Sequence, residues 1–80
     1  MVIAGVLIET LPGAEPRVAA RLLSVPGITL HGGDGLRRIA AVLDAPDGET
    51  LERFSERLLA SDEEILGVFP TFVGDEDAPA

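Results

Sequence analysis

Few side chains in this sequence could do chemistry, and their spacing limits what they could do. Two carboxylates, Glu9 and Asp44, stand at the ends of two apolar runs, Val2–Thr10 and Leu36–Asp44. General acid/base catalysis needs both groups within reach of one substrate atom. If the runs are neighbouring antiparallel strands, the two carboxylates fall at opposite ends and read as solvated charges. His31 is the only histidine; without a partner acid, nucleophile or second ligand it reads as a surface residue. Gly32-Gly33-Asp34-Gly35 lacks the lysine and spacing of a phosphate loop and leads into an apolar run, so it reads as a turn. Arg37-Arg38 before an apolar run mimics an export signal, which its internal position excludes. No Ser/His/Asp or Cys/His set can be assembled, and there is no cysteine for a metal cage or disulfide. The expectation is a protein that is not an enzyme and holds no cofactor and no metal.

The elements that position these residues follow from pattern. Val2–Thr10 is β-branched and apolar, too short to span a bilayer and without a basic flank, so it reads as a buried strand rather than an anchor or signal. Leu11-Pro12-Gly13 turns the chain. Val18, Ala19, Leu22, Leu23 and Val25 approach the 3.6 period and predict a helix over Arg17–Val25, started near Pro16 and stopped by Pro26-Gly27. Ile28–His31 and Leu36–Asp44 form a hairpin across the glycine-rich turn. A second helix comes next, capped by Asp47 or Thr50, with Leu51, Phe54, Leu58 and Leu59 as its apolar stripe. Ile65–Val73 is the last strand; Pro70 inside it places it at a sheet edge. The order β-α-β-β-α-β carries a weak internal repeat, Arg17-Val-Ala-Ala-Arg-Leu-Leu-Ser24 against Arg53-Phe-Ser-Glu-Arg-Leu-Leu-Ala60. Two split βαβ units predict an α+β, ferredoxin-like sandwich: a four-stranded antiparallel sheet of order 4-1-3-2 with both helices on one face. The domain is expected over residues 1–74, followed by an acidic tail at 75–80 expected to be disordered.

Eighty residues allow one small core. With 14 acidic against 6 basic residues the net charge is −8. That argues against nucleic acid and anionic membrane surfaces and for a neutral or basic partner. All the basic residues are arginine, and the absence of cysteine suits the cytoplasm.

With Val2, Ala4, Val6, Ile8, Ile39, Ala41 and Leu43 against the helices, the opposite sheet face carries Ile3, Gly5, Leu7, Ala40 and Val42. In the last strand, Ile65, Gly67, Phe69 and Thr71 are expected to join that open face, with Leu66, Val68 and Phe72 inward. Small residues at Gly5, Ala40 and Gly67 would make a shallow apolar platform, rimmed by Glu9, Thr29, His31 and Arg38. Such a patch on a small domain marks an interaction site. The expected binding residues are Gly5, Leu7, Glu9, Arg38, Ala40, Val42, Gly67 and Phe69. A weak homodimer, sheet against sheet, competes with a different partner for this face.

Ala4-Gly-Val-Leu-Ile8, Val25-Pro-Gly-Ile28 after the first helix, a third strand led by Gly35 and ending at Asp44, Ile65-Leu-Gly-Val68 and the acidic C-terminus together resemble the NapD family. The resemblance spans nearly the whole chain, with departures at Pro70-Thr-Phe-Val73 and Ile39-Ala-Ala-Val42. It implies a cytoplasmic chaperone of periplasmic nitrate reductase maturation. Such a protein binds the twin-arginine signal peptide of the catalytic subunit, NapA, and delays export until the molybdenum cofactor is loaded. It does not insert stably into the membrane. The alternative is an ACT-like small-molecule-sensing or dimerisation module.

Overall fold

The computed structural model describes residues 1–75. It is an α+β domain: β1 (Val2–Thr10), α1 (Glu15–Leu22), β2 (Ile28–Gly33), β3 (Arg38–Ala45), α2 (Gly48–Ser61) and β4 (Ile65–Asp75). All strand pairs are antiparallel. The order across the sheet is β2-β3-β1-β4, which from the β4 edge reads 4-1-3-2. β1 and β3 are central; β3 alternates in burial throughout and β1 does so from Val6 to Thr10, as period-two side chains on a one-sided core do. Ala4, Val6, Ile8, Ile39, Ala41 and Leu43 pack in one cluster with Val18 and Leu22 of α1 and Leu51 and Leu58 of α2. Both helices therefore cover the same face.

Element ends differ from expectation for local reasons. α1 starts earlier, at Glu15 with Pro16 in its first turn, and ends at Leu22. The chain from Leu23 to Pro26 is committed to reaching Gly27, whose φ of +87° suits a residue without Cβ. Asp47 caps α2, its carboxylate accepting from Thr50 N at 2.7 Å. Leu59, expected in the apolar stripe, lies on the exposed side. β3 begins at Arg38 rather than Leu36, because Leu36 and Arg37 belong to the turn: Asp34 Oδ1 accepts from the amides of Leu36, Arg37 and Arg38 at 2.9, 2.9 and 3.0 Å. β2 reaches Gly33 because a bulge at His31 re-registers the ladder, giving Leu30 opposite Ala41 and Gly32 opposite Ala40. β4 extends through Asp75, which pairs with Val2. Asp75, expected to open the tail, is thus part of β4, and the rest of that expectation, 76–80, lies outside the described residues.

Ion pairs tie the helical layer to the turn before β4. Arg21 spans Asp62 and Glu64, and Arg17 grips Glu64 through both carboxylate oxygens. Hydrogen bonds from Arg17 and then Arg21 lower the Glu64 pKa; the bond to Glu64 raises that of Arg17, and bonds to Asp62 first and Glu64 second raise that of Arg21.

Candidate functional site

Residues directly opposite in an antiparallel pair share a face, so register alone assembles the open side of the sheet. Glu9 lies between Arg38 and Gly67, Leu7 between Ala40 and Phe69, and Gly5 between Val42 and Phe72. The final row holds Ile3 between Asp44 and Gly74. All eight expected residues, Gly5, Leu7, Glu9, Arg38, Ala40, Val42, Gly67 and Phe69, therefore fall on one face. Thr29 joins the row of Val42 at the β2 edge. His31 is the extra residue of the β2 bulge and has no place in these rows.

β4 departs from the expected alternation. Two residues, Leu66 and Thr71, have no partner on β1. Each extra residue reverses the phase of the strand beyond it. Ile65 is consequently buried in the core, and Leu66 is exposed. Thr71 is the bulge residue, and its Oγ1, 2.9 Å from where a Gly5 Cβ would stand, still reaches the open face as expected. Phe72, expected inward, stands on the open face. The signal was present in the sequence: a proline in a strand is tolerated at an edge or a bulge, and Pro70 immediately precedes the second one.

Two glycines shape the surface that results. A Cβ on Gly5 would overlap the edge of the Phe72 ring, and one on Gly67 would stand 2.5 Å from the Phe69 ring. Each ring lies over a glycine, which is why Gly5 and Gly67 are buried on a face that has no helix. The rings remain half-open to solvent, Phe69 at 53 % and Phe72 at 51 % exposure, beside Leu7 at 40 %. They raise the β4 side. The β2–β3 side is lower, with a shallow depression of about 250 Å³ lined by Leu7, Gly32, Gly33, Asp34, Arg38 and Ala40.

Charge on this face is sparse and separated. Among the described residues, ion pairs use Arg17, Arg21, Arg53 and the N-terminus with their acids, and none engages Glu9, Arg38 or Asp44. Asp34, held by the amides of Arg38, Leu36 and Arg37 and beside the Arg38 side chain, has its pKa lowered to about 2. Glu9 and Asp44 are six residues apart by register, about 20 Å at the strand rise, too far to act on one substrate atom.

A wider cleft of about 450 Å³ lies between the end of α1 and the α2–β4 turn. Three of its four charged lining residues, Arg21, Asp62 and Glu64, are tied together through the Arg21 guanidinium, so it reads as a clamp. A third cavity of about 310 Å³, with Leu51, Val68, Pro70 and Val73 in its lining, opens between α2 and β4. Among the described residues no group of three His, Cys, Asp or Glu side chains is placed to hold a metal ion. No helix among them is long and apolar enough to cross a membrane. No family model, curated protein or solved structure matches the chain.

Proposed function

We propose that this ferredoxin-like domain is a NapD-like cytoplasmic chaperone and not an enzyme. It binds the twin-arginine signal peptide of the periplasmic nitrate reductase catalytic subunit and holds back export until the molybdenum cofactor is inserted. The observation that carries the reading is the open sheet face, where Ile3, Leu7, Val42, Phe69 and Phe72 share one uncovered surface. A leader peptide presents arginines followed by an apolar, helix-forming segment. An amphipathic helix laid on this surface buries its apolar side, while the net charge of −8 draws in the arginines and speeds encounter. Ordering such a peptide costs about 2–5 kcal/mol. At about 25 cal/mol per Å², some 200 Å² of apolar surface offsets the upper figure, an area that three or four partly exposed large side chains supply.

A second reading, the ACT-like sensing or dimerisation module, draws on the same face, since two copies paired sheet to sheet would bury Phe69 and Phe72. Amide chemical-shift mapping separates the two. Titration with the leader should move the β1, β3 and β4 amides on the open face and leave α1 and α2 unchanged. Shifts confined to the helices would contradict the site. Open-face shifts that track protein concentration without peptide would favour the dimer.

A further inference from the structure

The helices leave part of their own sheet face uncovered. Val68, Pro70 and Val73 of β4 lie opposite Ile8, Val6 and Ala4, all three in the core. Yet Pro70 is exposed and Val73 is 64 % exposed, because the cleft of about 310 Å³ separates this edge from α2. The bulge at Thr71 opens it. Without the bulge, alternation would set Phe72 opposite Ala4, and its ring would fill the space. With it, Phe72 turns to the other face and the smaller Val73 takes the position.

The floor and walls are apolar, and the lining carries one charged residue, Glu52. Glu52 is exposed and enters no ion pair among the described residues. The charges around it are compensated. Glu49 holds Arg53, and the Met1 ammonium and Asp75 pair beyond Val73. Asp47 caps the positive end of α2, and Glu56 and Arg57 are adjacent and opposite in sign. Ser55, three residues on from Glu52 and so on the same side of the helix, also lines the cleft. Its hydroxyl donates to Leu51 O at 3.4 Å, which leaves its lone pairs free to accept.

We infer that this cleft binds a small organic cation: an apolar group of about two fused rings that carries a protonated amine. At about 310 Å³ the cleft is about twice the roughly 150 Å³ cavity that takes benzene. The apolar body lies over Ala4, Val6 and Val73, and the ammonium sits between Glu52 and Ser55. A carboxylate of the same shape is repelled by Glu52. The cleft is on the helix side of the sheet, so it is separate from the peptide platform and does not depend on that reading.

The chain has no tryptophan and no tyrosine, so naphthalene emission is read against a dark protein. Titration of the whole chain into naphthylethylamine should raise the fluorescence anisotropy with saturation at one site, and a Kd of about 1 mM or tighter suits a ligand of this size. Naphthylethanol should bind about fivefold more weakly, the upper end for a solvent-exposed ion pair, and naphthylacetate more weakly still. Glu52→Gln should bring the amine and the alcohol to equal affinity. Val73→Arg, a change at an exposed position, should abolish binding of both by filling the mouth. Amide shifts should gather at Leu51, Glu52, Val68 and Val73. Equal affinities of amine and alcohol for the wild type would overturn the assignment of a cation. Absence of saturable binding, or shifts gathered at Leu7, Phe69 and Phe72, would overturn the site, and the signal-peptide reading would stand in each case.

Discussion

Gly5 and Phe72 act as one unit. Any side chain at position 5 meets the ring, since even a Cβ would overlap its edge. We expect Gly5→Ala to displace Phe72 and to destabilise the domain by about 1 kcal/mol, the low end of overpacking. In a Phe72→Ala background the same substitution should cost less without becoming free, because the ring is gone while Thr71 Oγ1 still stands 2.9 Å from the new Cβ. Urea unfolding of the four proteins measures this coupling; equal effects of Gly5→Ala in both backgrounds would show that the ring does not rest on Gly5. The small size of Gly5 was legible in the sequence, and so was its face. Its partner was not, because the partner lies on β4, where two bulges reset the alternation.

At the scale of elements, the central strands were the easiest to read and the edges the hardest. β1 and β3 are paired on both sides and buried on one face, so period two survives intact from Val2 to Thr10 and from Arg38 to Ala45. β2 and β4 are each paired on one side only, and both carry bulges; an edge tolerates an extra residue that a central strand does not. Helix ends shifted by two or three residues because capping and chain direction, not the apolar stripe, decide them. The β2–β3 hairpin makes a pH-dependent prediction. Asp34 has its pKa lowered from 3.8 to about 2 by three amide bonds. A lowered folded-state value means the stabilisation is complete above the unfolded pKa and is lost as pH falls from about 4 towards 2. The amide shifts of Leu36, Arg37 and Arg38 should titrate together in that window. In Asp34→Ala the titration should vanish, and the three amides should exchange faster at neutral pH. Protected amides in Asp34→Ala would assign the turn's stability to the glycines alone.

For the whole molecule, a single core of modest size supports an uncovered apolar face. Leu43, fully buried at the centre of β3, should cost about 2–5 kcal/mol as Leu43→Ala, a large share of the about 5–15 kcal/mol that holds a domain together. Calorimetric melting should show a sharp drop in Tm; a shift of only a degree or two would mean the core is looser than its burial implies. Charge acts at the same scale. A net −8 should make association with an arginine-bearing peptide slow as salt rises from about 0.05 to 0.5 M, with dissociation changing less. Composition yields the expectation of a neutral or basic partner. It could not foretell where on the platform the charge sits, since that depends on which residues β1 and β3 place opposite each other.

The central claim is that the open sheet face binds a twin-arginine leader. Isothermal titration calorimetry of the intact chain and of Leu7→Glu, against the leader of a periplasmic nitrate reductase catalytic subunit and against an unrelated leader, tests it most directly. Leu7 is partly exposed in the middle of the platform, so a charge there leaves the core untouched. The account predicts one-to-one binding of the cognate leader by the wild type, weak binding of the unrelated one, and loss of cognate binding in a folded Leu7→Glu protein. Undiminished binding by Leu7→Glu would move the site off this face, and no binding by the wild type would contradict the function itself.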